Sequence, residues 1–106
     1  MERIYSEVAE QLLLIEAEMR RLDLWAAQPP SAEALASTEP FCVDTLTLPQ
    51  WLQFIFLPRM RQLIERELPL PRQCGIAPMA EEYFRGDAGG KLVERLAELD
   101  GRLQRG

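Results

Sequence analysis

The sequence predicts an all-α domain: a compact bundle or array of four to five helices, with a central helix kinked near Pro58. Three observations carry that expectation. Apolar residues recur at helical spacing toward both ends of the chain. Prolines and capping residues punctuate the apolar stretches between them. No run of alternating apolar and polar residues is long enough to read as a strand.

The first helix is the clearest element. Ile4, Val8, Leu12, Ile15, Met19 and Leu22 form one helical face, while Glu7, Glu10, Glu16, Glu18, Arg20 and Arg21 occupy the others. Glu16 stands four residues before Arg20, a helix-supporting pair. Leu13 and Leu14 widen the stripe, so the helix is expected to pack on two neighbours and to end before Pro29-Pro30. Ser31 is a candidate N-cap for a short turn over Ala32 to Ala36. An irregular link from Ser37 to Leu46 follows.

Thr47 and Gln50 fit a capping box, with Pro49 in the first turn where its missing N–H costs nothing. The helix they open is rich in Trp51, Leu52, Ile55, Phe56, Met60, Leu63 and Ile64, and is expected to be central. Pro58 deletes the hydrogen bond to the Phe54 carbonyl and predicts a kink, or else a break into two helices. Pro69 and Pro71 end it, and Leu68 to Gly75 reads as an extended linker. Pro78 opens a further helix to about Arg85, closed by Gly86 as a left-handed cap. Asp87 caps a last helix to about Arg105, with Leu92, Val93, Leu96, Leu99 and Leu103 on its buried side.

At 106 residues the chain is expected to be a single domain over 1–106. Its 47% hydrophobic and 27% charged content is that of a folded globule, which argues against disorder. The longest dense apolar stretch, Trp51 to Leu57, is too short to span a bilayer. The strongly charged first 22 residues do not read as a signal peptide, so a cytoplasmic location with reduced Cys42 and Cys74 is the default. One disulfide between them is the alternative.

The chain contains no histidine, which removes the commonest general base and the commonest metal ligand together. Two isolated cysteines make a poor zinc site. The stretch Gly86-Asp87-Ala88-Gly89-Gly90-Lys91 fails as a phosphate loop: its spacing is one residue short, Leu92 replaces the magnesium-binding hydroxyl, and no strand precedes it. Glu81-Glu82 and Glu16/Glu18 read as surface charges, since adjacent helical residues diverge by about 100°. We expect no enzyme, no catalytic residue, no metal and no cofactor.

The net charge of -5 disfavours direct nucleic-acid binding. The one mildly basic stretch carries Arg59, Arg61, Arg66 and Arg72 against Glu65 and Glu67. A solvated helix face accounts for it. The most distinctive residues lie at the entry to the central helix: Phe41, Asp44, Thr45, Trp51, Gln53 and Arg59. Two accounts fit them. In one, Phe41 and Trp51 are core, and Asp44 satisfies backbone N–H groups or pairs with Arg59. In the other, they form a partner-docking or ligand surface, with Phe41, Trp51 and Met60 lining a pocket anchored by Asp44 and Arg59.

At these same residues the chain resembles a known family. Ser37-Thr38, Pro40-Phe41, Asp44-Thr45, Trp51-Leu52-Gln53, Pro58-Arg59-Met60, Pro69-Leu70-Pro71 and Ala77-Pro78 are similar in order and spacing to the bacterial YqcC-like proteins, over about residues 37–78. The resemblance implies a compact helical bundle and no catalytic residues. That family is of uncharacterised function and is associated with tRNA pseudouridine synthase C. A protein partner is therefore expected, a tRNA-modifying enzyme being the named candidate. Arg21-Leu22-Asp23 also matches the triplet holding the catalytic aspartate in one pseudouridine synthase family, but it sits at the end of an amphipathic helix and reads as chance.

Overall fold

The computed structural model describes residues 3–72, 74–85 and 89–105. It is all-α, with α1 (Arg3–Arg21), α2 (Ala32–Leu35), a 3-10 turn (Pro40–Cys42), α3 (Leu48–Trp51), a π-helical stretch (Leu52–Phe56), α4 (Leu57–Glu65), α5 (Ile76–Tyr83) and α6 (Gly90–Arg105). With residues 48–65 counted as one continuous helix, the described residues form five helices and no strand. The caps expected at Gly86 and Asp87 lie outside the described residues.

α1 buries Tyr5, Val8, Leu12, Ile15 and Met19; of the predicted stripe Val8, Leu12, Ile15 and Met19 are core, while Ile4 and Leu22 at its ends are partly buried against it. Leu13 does not widen that face: it is 63% exposed. The helix stops at Arg21, well before Pro29. Asp23 takes a left-handed conformation (φ 60°), its N–H donates to the Arg20 carbonyl, and Leu24 N–H donates to the Met19 carbonyl at 2.8 Å. That is a Schellman stop built without glycine. Glu67 (φ 51°) ends α4 the same way, with Leu68 N–H on the Leu63 carbonyl. Both stops precede the prolines expected to end the helices. Each left-handed L-residue costs about 1–2 kcal/mol, offset by the carbonyls it satisfies.

Thr47 and Gln50 form the predicted capping box. The irregularity expected at Pro58 takes the form of a widened turn rather than a break. Leu57 N–H reaches back to the Leu52 carbonyl, a π-type bond, and backbone angles stay helical through Phe56 (φ −68°, ψ −55°) and Leu57 (φ −61°, ψ −46°). The π turn lies immediately before the proline, where the missing donor and ring clash must be absorbed.

The helix expected to be central shares that place. α6 packs on α1 and on α5, and its Leu92, Leu96, Leu99 and Leu103 are essentially inaccessible. Three sets of contacts fix the helix directions. Arg102 pairs with Glu7 while Lys91 and Arg95 act on Glu18, so α6 runs antiparallel to α1. Arg61 pairs with Glu16 and the Tyr5 hydroxyl donates to the Leu68 carbonyl, so α4 also runs antiparallel to α1. Asp100 Oδ2 accepts from Ala77 N–H at 2.7 Å, tying the start of α5 to the far end of α6. α5 thus begins two residues earlier than Pro78, after Gly75 (φ 64°), with its cap supplied by another helix. At the opposite end Gly89 lies under Phe84, and a Cβ there would come within 2.5 Å of the ring.

The arginine-paired carboxylates set an acid limit on stability. An arginine hydrogen bond holds Glu7 (Arg102) and Glu18 (Arg21) below the ordinary value of 4.5. Burial pushes Glu16 up, but its bonds to Arg20 and Arg61 outweigh that and lower it. A depressed folded pKa contributes stability above the unfolded value and loses it as pH falls through the folded value. Asp100 opposes this trend, since burial raises its pKa against the bonds from the start of α5. The urea midpoint is expected to hold near neutrality and to drop below about pH 4.5. A midpoint that rose on acidification would contradict this assignment.

Candidate functional site

The six residues singled out by sequence do not form one cluster. Asp44 and Thr45 stitch the loop before α3. Ser37 Oγ donates to Asp44 Oδ1 at 2.5 Å and itself accepts from Glu39 N–H, while Thr45 Oγ1 donates to the Ala34 carbonyl at 2.7 Å. Ser31 caps α2 as expected. Within this loop Phe41 (φ 56°) and Cys42 (φ 51°) are successive left-handed residues without glycine's freedom, a strained arrangement that turns the chain sharply.

Phe41 meets Trp51 edge-on at 4.8 Å, and Trp51 stacks on Phe56 at 5.3 Å. Such pairs contribute about 0.5–1.5 kcal/mol each beyond area burial, which holds the Phe41 ring in place. Gln53 is buried and structural: Oε1 accepts from Ala26 N–H at 2.8 Å and Nε2 donates to the Ala26 carbonyl at 2.9 Å. It pins the chain after α1 onto the π turn. Trp25, nearby in sequence, is half-buried with the Arg20 guanidinium 4.7 Å above its ring.

Arg59 corrects the expected pocket. It is exposed, lies with Phe54, Ile55, Pro58 and Gln62 along an open depression, and does not pair with Asp44. Met60 is core, 1% exposed, and lines no pocket with Phe41. The arginines of the basic stretch are also dispersed: Arg61 is engaged by Glu16, and Arg72 bonds the Gln104 carbonyl.

What Phe41 does line is a groove of about 280 Å³ that sequence reasoning missed. It is lined by Phe41, Val43 and Leu46 of the loop, Thr47 and Leu48 at the start of α3, and Met79 and Tyr83 of α5. Val43 is 60% and Tyr83 47% exposed, and the Tyr83 ring is braced edge-on by Phe84 at 4.9 Å. No local signal joins α5 to a loop more than thirty residues earlier; the only hint was that Met79 and Tyr83 share a helical face.

Reactive chemistry is sparse elsewhere. Cys42 and Cys74 are free thiols. Burial, with the Asp100 charge adding to it, pushes Cys74 up to about 11, so the thiol stays protonated at neutral pH. Among the described residues there is no cluster of three potential metal ligands, and no helix long and apolar enough to cross a membrane. Arg21-Leu22-Asp23 diverges: Arg21 pairs with Glu18, Leu22 packs on the core, and Asp23 is the exposed helix stop.

A family model described as tRNA pseudouridine synthase C matches residues 7–102. The chain belongs to that family, DUF446. Among its relatives is an uncharacterised protein of Haemophilus influenzae, 40% identical over 80 residues that make up 76% of each chain. The uncharacterised protein YqcC of Escherichia coli is 35% identical over 96 residues, 91% of this chain and 87% of that one. A protein of Pectobacterium carotovorum named tRNA pseudouridine synthase C is 46% identical over 81 residues; these are 76% of this chain and only 22% of that relative. The solution structure of E. coli YqcC has the same fold, with a TM-score of 0.85 at 30% identity, covering 97% of this chain and 90% of that one. The YqcC-like resemblance and the all-α architecture both hold. The family is one of small uncharacterised proteins.

Proposed function

We propose that this protein is a non-enzymatic interaction domain that serves a tRNA pseudouridine synthase in the cytoplasm. The Pectobacterium relative carries the reading. It bears the synthase name, and the region matching this chain occupies 22% of its length. There the domain is tethered to a much longer remainder. Covalent tethering supplies a local concentration of about millimolar without any interface. The absence of histidine and the use of Asp23 as an exposed helix stop support an accessory role over a catalytic one.

The small-ligand alternative has less support. The groove at Phe41 is smaller than the roughly 300–1,000 Å³ typical of ligand pockets, and its intended polar anchor, Arg59, lies elsewhere. Direct RNA binding is weaker still on an acidic chain with dispersed arginines.

Affinity capture from the native cell at moderate salt is expected to recover a pseudouridine synthase, and deletion of the gene to lower pseudouridine at the tRNA sites of that enzyme. Recovery of no stable partner, together with normal pseudouridine content, would sink the reading.

A further inference from the structure

We propose that the face formed by α1 and α4 around Leu13 joins two copies of this chain, each α1 lying antiparallel to the other across a two-fold axis at Leu13. The inference goes beyond the proposed function and does not depend on it. Leu13 stands four residues from Ala9 and four from Ala17, so the three share one stripe of α1, turned away from the buried stripe. A leucine between two small residues lets a second helix approach closely. Beside it lies a depression of about 230 Å³, lined by Ala9, Leu12, Leu13, Arg61, Ile64 and Glu65. Leu68 is also exposed, and its carbonyl takes the Tyr5 hydroxyl one turn before Ala9, which extends the apolar surface toward the start of α1.

Charge names the occupant. Arg61 and Arg20 both bond Glu16, so the bases of this face lie on the C-terminal side of Leu13. α4 runs antiparallel to α1, so Glu65 lies one turn back from Arg61 toward the start of α1, the side on which Glu10 also stands. Neither Glu10 nor Glu65 has an ion pair among the described residues. A partner of single sign would meet like charge on one side of Leu13 or the other. A surface with the same order reversed matches both sides, and the chain's own face, turned over about Leu13, is such a surface. Ala9 then meets the partner's Ala17, and Glu65 meets the partner's Arg61, whose guanidinium keeps donors beyond its bond to Glu16. The face holds Glu10, Glu16 and Glu65 against Arg20 and Arg61, so four of the five net negative charges lie elsewhere and the like-charge cost of pairing is low. α1 has 19 residues and is about 28 Å long. A face two helices wide then offers about 500 Å² per copy, the lower end of a specific interface, and sets a weak dimer of about micromolar affinity or below.

The test is sedimentation velocity of the intact protein from about 10 to about 500 µM, where a reversible monomer–dimer equilibrium is expected. Leu13→Arg is expected to weaken the dimer about tenfold or more while keeping its helical circular dichroism and urea midpoint. Tyr83→Ser, away from this face, is expected to leave the equilibrium unchanged. Glu65→Arg sets base against the partner's Arg61, and Arg61→Glu sets acid against the partner's Glu65. Each alone is expected to weaken self-association, and an equimolar mixture of the two variants to restore it. Damage to the fold of either variant would not produce that rescue. A wild-type protein that stays monomeric throughout the range would overturn the proposal. So would a dimer that Leu13→Arg leaves intact, a dimer that Tyr83→Ser abolishes, or a mixture of the charge variants that recovers nothing.

Discussion

Replacing Leu96 with alanine is expected to lower the unfolding free energy by about 2–5 kcal/mol, the range for deleting a buried leucine side chain. Leu96 is fully buried in the middle of α6, the helix that packs on both α1 and α5. Truncation there opens a cavity lined from two sides, and neither neighbour can close it without moving away from the other. A domain of this size has about 5–15 kcal/mol in total, so the variant sits near the edge of folding. Urea denaturation checks the value through the midpoint at constant slope. A loss under about 0.5 kcal/mol, the scale of an ordinary surface change, would mean that α6 is not the shared packing element.

Gln53→Ala is expected to cost about 2–4 kcal/mol, from two hydrogen bonds and the unpaired backbone groups they leave. Both lost partners belong to Ala26, which is half-buried against the π turn. The effect is also expected to be regional. Amide exchange should accelerate over residues 22–30, the chain that Gln53 pins, more than along α6. Gln53→Glu separates polarity from size: it keeps an acceptor for the Ala26 N–H but turns an oxygen toward the Ala26 carbonyl. It should keep the volume and recover little of the stability. A neutral alanine substitution would show that the loop is held by other contacts.

The parts of the fold legible in the sequence were those encoded within a turn or two. The buried stripe of α1, the Ser31 cap, the Thr47–Gln50 capping box and the Glu16–Arg20 pair all depend on residues three or four apart, and all are present. What escaped was set by partners distant in sequence or by residues acting against type. Asp23 and Glu67 end helices in a conformation normally given to glycine. Asp100 caps a helix 23 residues before it, and Gln53 closes a bond across 27. The place of the Pro58 irregularity was foreseen but not its form: the Leu57 N–H reaches the Leu52 carbonyl, so the ladder widens into a π turn before the proline.

The candidate site was half legible for the same reason. Phe41 and Trp51 touch as their proximity to the helix entry suggested. Asp44, Thr45 and Gln53 were attractive as polar groups near aromatics, yet each is engaged in holding backbone or loop. Arg59 was grouped with them by sequence distance alone, and the helix carries it to another face. The second wall of the groove, Met79 and Tyr83, comes from a helix whose placement depends on Gly75 and on the Asp100 cap.

Hydrogen exchange of the intact protein, followed with and without the intact synthase, tests the proposed interaction most directly. Protection of one contiguous face on addition of the enzyme is the expected result. Exchange unchanged at saturating enzyme would contradict it.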